Sequence, residues 1–295
     1  MSARVAAVFD LDGTLMSLPS LEQRFFRALR YRSEIPLKNY LLWLRETLKL
    51  FPSGLNAVRH ANKMYLQGVP SLNESGVENR GDSSAHKSGH QEEGQVSAPP
   101  RHDPRQPVPL FFAEGVERVA WHARQGHAIV IVSGTLKPLA CAAARALEIE
   151  LAAHGIAAEI RVCATKLEER DGRWTGQVLG EAMFGEAKAR AVLALAEEMS
   201  LDLSQSWAYG DSAQDRWMLA SVGNPAAVNP IANLARIARR RGWPILHWRK
   251  RMNLTQSHGE HRDKKEDMRE GRTTGTSCRL KALKSHCGIG SGAHE

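Results

Sequence analysis

The sequence predicts an α/β fold: a Rossmann-like, three-layer parallel sheet core with a helical cap domain inserted after the first strand. Three observations carry this expectation. Two short apolar runs, VAAVF at Val5–Phe9 and AIVIV at Ala128–Val132, stop abruptly at Asp10 and Ser133, as buried parallel strands do. From Phe111 onward, strand-like runs alternate with stretches of helical spacing, which implies right-handed crossovers. Between the first strand and Phe111, Leu21–Leu66 has helical spacing and residues 68–107 break it, so the sheet pattern is interrupted there and resumes afterwards.

Each element follows from local pattern. Val5–Phe9 is the first strand. Leu21–Leu66 has helical spacing, for example at Leu37, Leu41, Leu44 and Leu48, and its aromatics Phe25, Phe26, Tyr40, Trp43 and Tyr65 read as a core stripe. A helix over Glu114–Gln125 precedes the strand Ala128–Val132, and a longer helix covers Lys137–Ala153. A strand at Glu159–Cys163 leads into Thr165–Val178, where an Asp-Gly pair between alternating stretches predicts a hairpin. Then come a helix at Glu186–Met199, a strand at Ser206–Tyr209, a helix from Ser212, a strand at Ala226–Val228 and a helix at Ile231–Arg241.

Two segments break the pattern. Residues 68–107 contain five Gly, five Pro and six Ser and no aromatic, too little apolar surface to offset the entropy of ordering. From Asn253 the chain is polar and Gly-rich. The expected division is therefore a core of residues 1–16 and 111–248, a helical cap at 17–67, a disordered insertion at 68–110 and a disordered basic tail at 249–295.

Charge and cysteine content exclude several classes. The net charge of +8 is concentrated in the tail, where eleven Lys and Arg stand against six acids. Such a run is ordinarily solvated chain, and the absence of aromatics after Trp248 argues against single-stranded nucleic-acid binding, so no nucleic-acid partner is expected. Cys141, Cys163, Cys278 and Cys287 form neither a CxxC knuckle nor a disulfide framework, and zinc is not expected. No run approaches the roughly 18 apolar residues of a membrane span, and the N-terminus lacks a signal-peptide pattern, so no membrane partner and a soluble, cytoplasmic protein are expected.

Four strand ends carry residues with chemical potential. Asp10 and Asp12 in Asp10-Leu11-Asp12-Gly13-Thr14 project to one side of extended chain, and two such like charges need a proton or a cation between them. An ordinary strand-end turn would use the same residue types. Ser133-Gly134-Thr135 follows a strand and offers a hydroxyl and backbone N–H groups to an anion, or a cap to the next helix. Lys188 opens a helix against the dipole preference, a conflict that an anionic neighbour would remove; a solvated lysine is the alternative. Asp211 and Asp215 lie four apart at another helix start, repelling one another unless something positive sits between them, or else capping the helix. Four such sites on successive strand ends of one sheet fit phosphoryl transfer to a carboxylate with a divalent cation.

The segments FDLDGT, VSGT, GEAK and GDSAQD resemble the four motifs of the haloacid dehalogenase-like phosphatases, and their spacing resembles the phosphoserine phosphatase-like branch. LEERDGRWTGQV, VNP and GWPIL also look like that branch, and the resemblance covers residues 4–66 and 111–248. It implies Asp10 as nucleophile forming an aspartyl-phosphate, and Asp12 as general acid and then base. Ser133, Gly134 and Lys188 would hold the phosphate. Mg²⁺ would sit on Asp10, the Asp12 carbonyl and Asp211, with Asp215 supporting. The implied substrate is a small phosphorylated metabolite whose leaving group the cap selects. Phosphoserine phosphatases usually carry Ser where Gly13 stands, and an early cap Glu where Pro19 stands; Glu22 is displaced from that place. This favours another phosphomonoester. Arg24, Arg59 and Lys63 are candidate anion contacts from the cap, although each also suits a solvated surface position. A phosphotransferase on the same site, and phosphoserine phosphatase proper, are the alternatives.

Overall fold

The structure, a computed structural model, describes residues 4–53, 58, 62–72 and 110–249. Its centre is a parallel sheet built from β1 (Ala6–Phe9), β2 (Ala128–Leu136), β3 (Ile160–Thr165), β6 (Trp207–Gly210), β7 (Asn224–Val228) and β8 (Ile245–Leu246). Their order across the sheet is β3-β2-β1-β6-β7-β8. β1 pairs with β2 on one side and β6 on the other, in register Val8↔Val130 and Val8↔Ala208. The strand order therefore reverses beside β1, and the crevice at that reversal is where open α/β sheets bind ligands.

Continuous apolar strands arise because both sheet faces are covered. Ala7, Phe9, Ile129, Ile131 and Tyr209 belong to one apolar cluster, and their neighbours Ala6, Val8, Val130 and Val132 belong to the other. This is the period-two alternation of extended chain. The first cluster is packed by α3 (Ala113–Arg124) and α4 (Lys137–Ala153), the second by α5 (Glu186–Met199), α6 (Arg216–Ala220) and α7 (Ala232–Arg241). The three-layer parallel core is as the sequence predicts.

The helical stretch after β1 differs from expectation. It is α1 (Leu21–Tyr31) and α2 (Leu37–Leu50), not one continuous spacing, because Ser33 turns to φ 56° and Pro36 restarts the helix. A capping box fixes the start of α1: the Gln23 amide donates to Ser20 Oγ at 3.2 Å, and the Ser20 amide to Gln23 Oε1 at 3.3 Å. Leu21, Phe25 and Leu29 then share one buried face. The expected core stripe holds for Phe25 and Tyr65, but Tyr40 and Trp43 are more than a third exposed, and so are Leu37, Leu41, Leu44 and Leu48 of α2.

β4 (Leu167–Arg170) and β5 (Arg173–Val178) form the expected hairpin, with Asp171 and Gly172 at φ 51° and 70°. Two successive positive φ values are what a two-residue turn of the right twist requires. Residues 68–72, which composition places in the insertion, pack on this hairpin. Val69 and Leu72 are buried, the Gly68 amide donates to Trp174 O at 2.8 Å, and the Ser71 amide donates to Gly172 O at 2.9 Å. Pairing with an existing strand edge supplies the order that composition alone does not. Residues 73–109 of the expected insertion, residues 250–295 of the tail, Arg59, Cys278 and Cys287 lie outside the described residues.

Smaller differences concern element ends. β2 runs on to Leu136, and the helix expected from Ser212 is a 3₁₀ turn at Ala213–Asp215 followed by α6. β8 closes the sheet edge where the sequence carries too short an apolar run to be read as a strand.

Candidate active site

Asp10 leaves the carboxyl end of β1 with its amide donating to Tyr209 O at 2.9 Å, so the neighbouring strand fixes its backbone. Lys188, in the first turn of α5, donates Nζ to Asp10 Oδ1 and to Asp215 Oδ1, each at 2.6 Å. The conflict with the helix dipole is thus resolved by two buried carboxylates. Asp215 is held in turn by Ser212, whose amide and hydroxyl donate to its Oδ2 at 2.9 and 2.8 Å. Asp211 follows β6, and carboxylate oxygens of Asp10, Asp211 and Asp215 lie within 4.8 Å of one another. All three residues are buried.

Two close backbone approaches make this packing possible. A Cβ on Gly13 would sit 2.3 Å from Asp211 Oδ2, and one on Gly210 would sit 2.5 Å from the Asp215 Cβ. Gly13 also has φ +97°, in the region that side chains avoid.

Asp12 stands apart from the other carboxylates. Its Oδ1 accepts from the Leu21 amide at 2.8 Å, and its Oδ2 from Thr135 Oγ1 at 3.0 Å. The first contact ties the loop after β1 to the start of α1. Ser133, at 1% exposure, accepts from the Thr135 amide at 3.2 Å through Oγ, while Gly134 O accepts from Thr165 Oγ1 at 2.9 Å. Ser133 therefore does not cap α4, whose N-cap is Leu136 with no side-chain bond.

Burial dominates the electrostatics. Desolvation, opposed by Lys188 and reinforced by Asp215, pushes the Asp10 carboxyl up to about 7. Burial and the nearby Asp10 and Asp215 carboxylates push Asp211 up to about 9. Asp12 is raised by burial against the pull of its two hydrogen bonds. Burial alone would lower the Lys188 ammonium; Asp10 and Asp215 outweigh it and raise it instead.

One ammonium cannot neutralise three clustered carboxylates. A compact, all-oxygen set with surplus negative charge fits a small hard dication such as Mg²⁺, and the room for Asp211 beneath Gly13 is part of that fit.

Above these groups opens a cavity of about 1030 Å³. Asp10, Asp12, Ser133, Gly134, Lys188 and Asp211 line its floor, and Glu22, Phe26, Tyr40, Trp43 and Lys63 line its cap side. Lys63, in sequence a candidate anion contact or a solvated lysine, is 2% exposed and donates to Glu22 Oε1 at 2.5 Å, with Tyr65 OH donating to the same oxygen at 2.7 Å. Glu22, although displaced along the chain, thus reaches the cavity. Arg24 instead donates to Pro19 O and Ser17 O, at 2.8 and 2.6 Å, bracing the entry to α1. Thr165, the bond from Thr135 to Asp12 and the Glu22–Lys63–Tyr65 cluster were not legible in the sequence, because these groups meet only through the fold.

Comparison with known proteins follows the same lines. A probable phosphatase of Mycobacterium tuberculosis is 36% identical over 147 residues, covering 50% of this chain and 47% of that protein. The inhibition of morphological differentiation protein of Streptomyces azureus is 38% identical over 149 residues, half of each chain. A phosphoserine phosphatase of Mycobacterium tuberculosis is 36% identical over 133 residues, 45% of this chain and 40% of that one. The chain thus spans about half the length or less of these curated relatives. Among solved structures, a Bordetella pertussis protein of unknown function superposes with TM-score 0.54 at 23% identity, covering 83% of this chain and 99% of that one, a likeness of fold. The family model for haloacid dehalogenase-like hydrolases matches residues 7–220, and the chain belongs to that family.

Proposed function

We propose that the protein is a Mg²⁺-dependent phosphomonoester hydrolase that works through an aspartyl-phosphate on Asp10. The observation that carries this reading is Lys188, which spans Asp10 and Asp215 beside Asp211 while Asp12 is held separately by Leu21 and Thr135. Asp10, the Asp12 carbonyl and Asp211 would hold the metal, with Asp215 supporting; bound there, it supplies charge neutralisation for the phosphoryl oxygens.

The residues divide the chemistry as follows. Lys188 fixes Asp10 Oδ1, so Oδ2 attacks phosphorus and the ester P–O bond breaks. The raised Asp12 carboxyl gives its proton to the departing alkoxide, which leaves as the alcohol. The resulting Asp12 carboxylate then takes a proton from water as that water attacks phosphorus, breaking the bond to Asp10 and releasing phosphate. Ser133 and the Gly134 amide bind the phosphoryl oxygens, and Lys188 stabilises charge that develops in transfer.

The substrate we infer is a small phosphorylated metabolite other than phosphoserine. Glu22 reaches the cavity, but Lys63 already pairs with it, and the cap side presents Phe26, Tyr40 and Trp43 to the leaving group. That lining suits a larger and more apolar alcohol than serine.

Phosphate release from an aryl phosphate and from a panel of metabolite phosphates, with and without Mg²⁺, tests the reading. Wild type is expected to turn over with Mg²⁺, and Asp12→Asn to lose about 10²–10⁴-fold in kcat, the usual worth of a general acid. Metal-independent turnover, or an Asp12→Asn variant as fast as wild type, would contradict it.

A further inference from the structure

Helix α2 turns its most apolar row away from the protein. Asn39 is its buried residue, donating Nδ2 to Tyr65 O and Gln67 O at 3.1 and 2.7 Å. Leu37, Leu41, Leu44 and Leu48 are 84, 71, 50 and 69% exposed. Steps of four, three and four residues place them in one stripe, and at about 100° per residue that stripe lies opposite Asn39. Lys38, Arg45 and Lys49 run along one flank of it. Tyr40 and Trp43 run along the other, where they wall the cavity. Exposed Tyr31 before the helix and Phe51 after it lengthen the apolar surface. A continuous row of this kind marks an interaction surface.

We propose that α2 docks on a bilayer containing anionic phospholipids, leucines among the acyl-chain ends and basic flank at the headgroups. Charge selects this occupant. Helix α2 itself holds Lys38, Arg45 and Lys49 against Glu46, complementary to anionic headgroups and self-repelling if two copies met face to face. The chain's own remaining segments suit the row poorly. Residues 73–109 carry only three large aliphatic side chains, Val77, Val96 and Val108, and residues 250–295 are themselves basic, ten Lys and Arg against six acids. Among the described residues no helix is long and apolar enough to cross a membrane, and a helix lying in the interface needs none. Docking in this way sets the cavity mouth, beside Tyr40 and Trp43, at the lipid surface.

Flotation of the full chain with vesicles tests the proposal independently of catalysis. One set is phosphatidylcholine alone, the other phosphatidylcholine and phosphatidylglycerol in equal parts. Wild type is expected to float with the anionic set and to release as salt rises. Leu41→Asp/Leu44→Asp is expected to bind at least about tenfold more weakly, and Lys38→Glu/Arg45→Glu to lose its preference for the anionic set, with unchanged melting temperatures. Wild type remaining unbound with both sets, or the leucine variant floating like wild type, overturns the proposal. So does a wild-type dimer that the leucine variant dissolves while neither protein floats.

Discussion

Lys188 is one ammonium among the carboxylates of Asp10, Asp211 and Asp215, and Gly13 sets how closely they gather. Gly13→Ala places a methyl 2.3 Å from Asp211 Oδ2 and strains a backbone at φ +97°. Asp211 must then move by about an ångström, a displacement that costs on the order of a hundredfold in rate at a preorganised centre. Mg²⁺ titration of phosphate release is the check: the variant should need more metal and turn over more slowly, and wild-type behaviour would contradict the packing account. The same residue shows what was legible in sequence. Asp10, Asp12, Ser133 and Asp211 announce themselves because each follows a strand end in short-range spacing, and Lys188 because it opens a helix against the dipole preference, although the strand before it belongs to the hairpin and not to the central sheet. The burial of Lys63 was not legible, since it depends on a partner 41 residues away, and Glu22 offers no local sign of that pairing.

At the scale of elements, hairpin β4–β5 packs against both α1 and residues 68–72. Trp174, 3% exposed, meets Phe25 of α1 edge-on at 5.9 Å and 86°, while its backbone pairs with Gly68 and Val69. Trp174→Ala removes that wedge and is expected to cost about 3–5 kcal/mol by urea unfolding, with Trp174→Phe costing less. A loss under about 1 kcal/mol would show that the hairpin is not integral to the packed core. The hairpin itself was readable from Asp171-Gly172, and the strands from their apolar runs, because turn chemistry and burial on both faces are local properties. The break between α1 and α2 and the packing of residues 68–72 were not. Both depend on partners that are distant in sequence, and composition reports only what a segment can do alone.

Across the whole molecule, folding buries ionisable groups that do not line the cavity as well. His122 on α3 is fully buried, its Nε2 2.9 Å from Tyr209 OH and its Nδ1 2.8 Å from His127 Nδ1. Burial, with His127 and Arg118 nearby, pushes it from an ordinary 6.5 down to about 3. The unfolded chain therefore binds a proton below pH 6.5 that the folded chain refuses until about pH 3. Stability is full above that window and falls as pH drops through it, by at most about 1.4 kcal/mol per pH unit from this one group. Urea midpoints of wild type and His122→Gln between these limits should converge as pH falls, and parallel curves would show that His122 is not the group titrating.

On the mechanism proposed above, Asp10 carries the phosphoryl group. Quenching the wild-type enzyme during turnover, reducing with borohydride and mapping peptides by mass spectrometry tests it most directly. The account predicts conversion of residue 10 to the reduced homoserine form, absent without substrate and absent in Asp10→Asn. Sustained turnover with no modification at Asp10, or modification at another carboxylate such as Asp12, would contradict it.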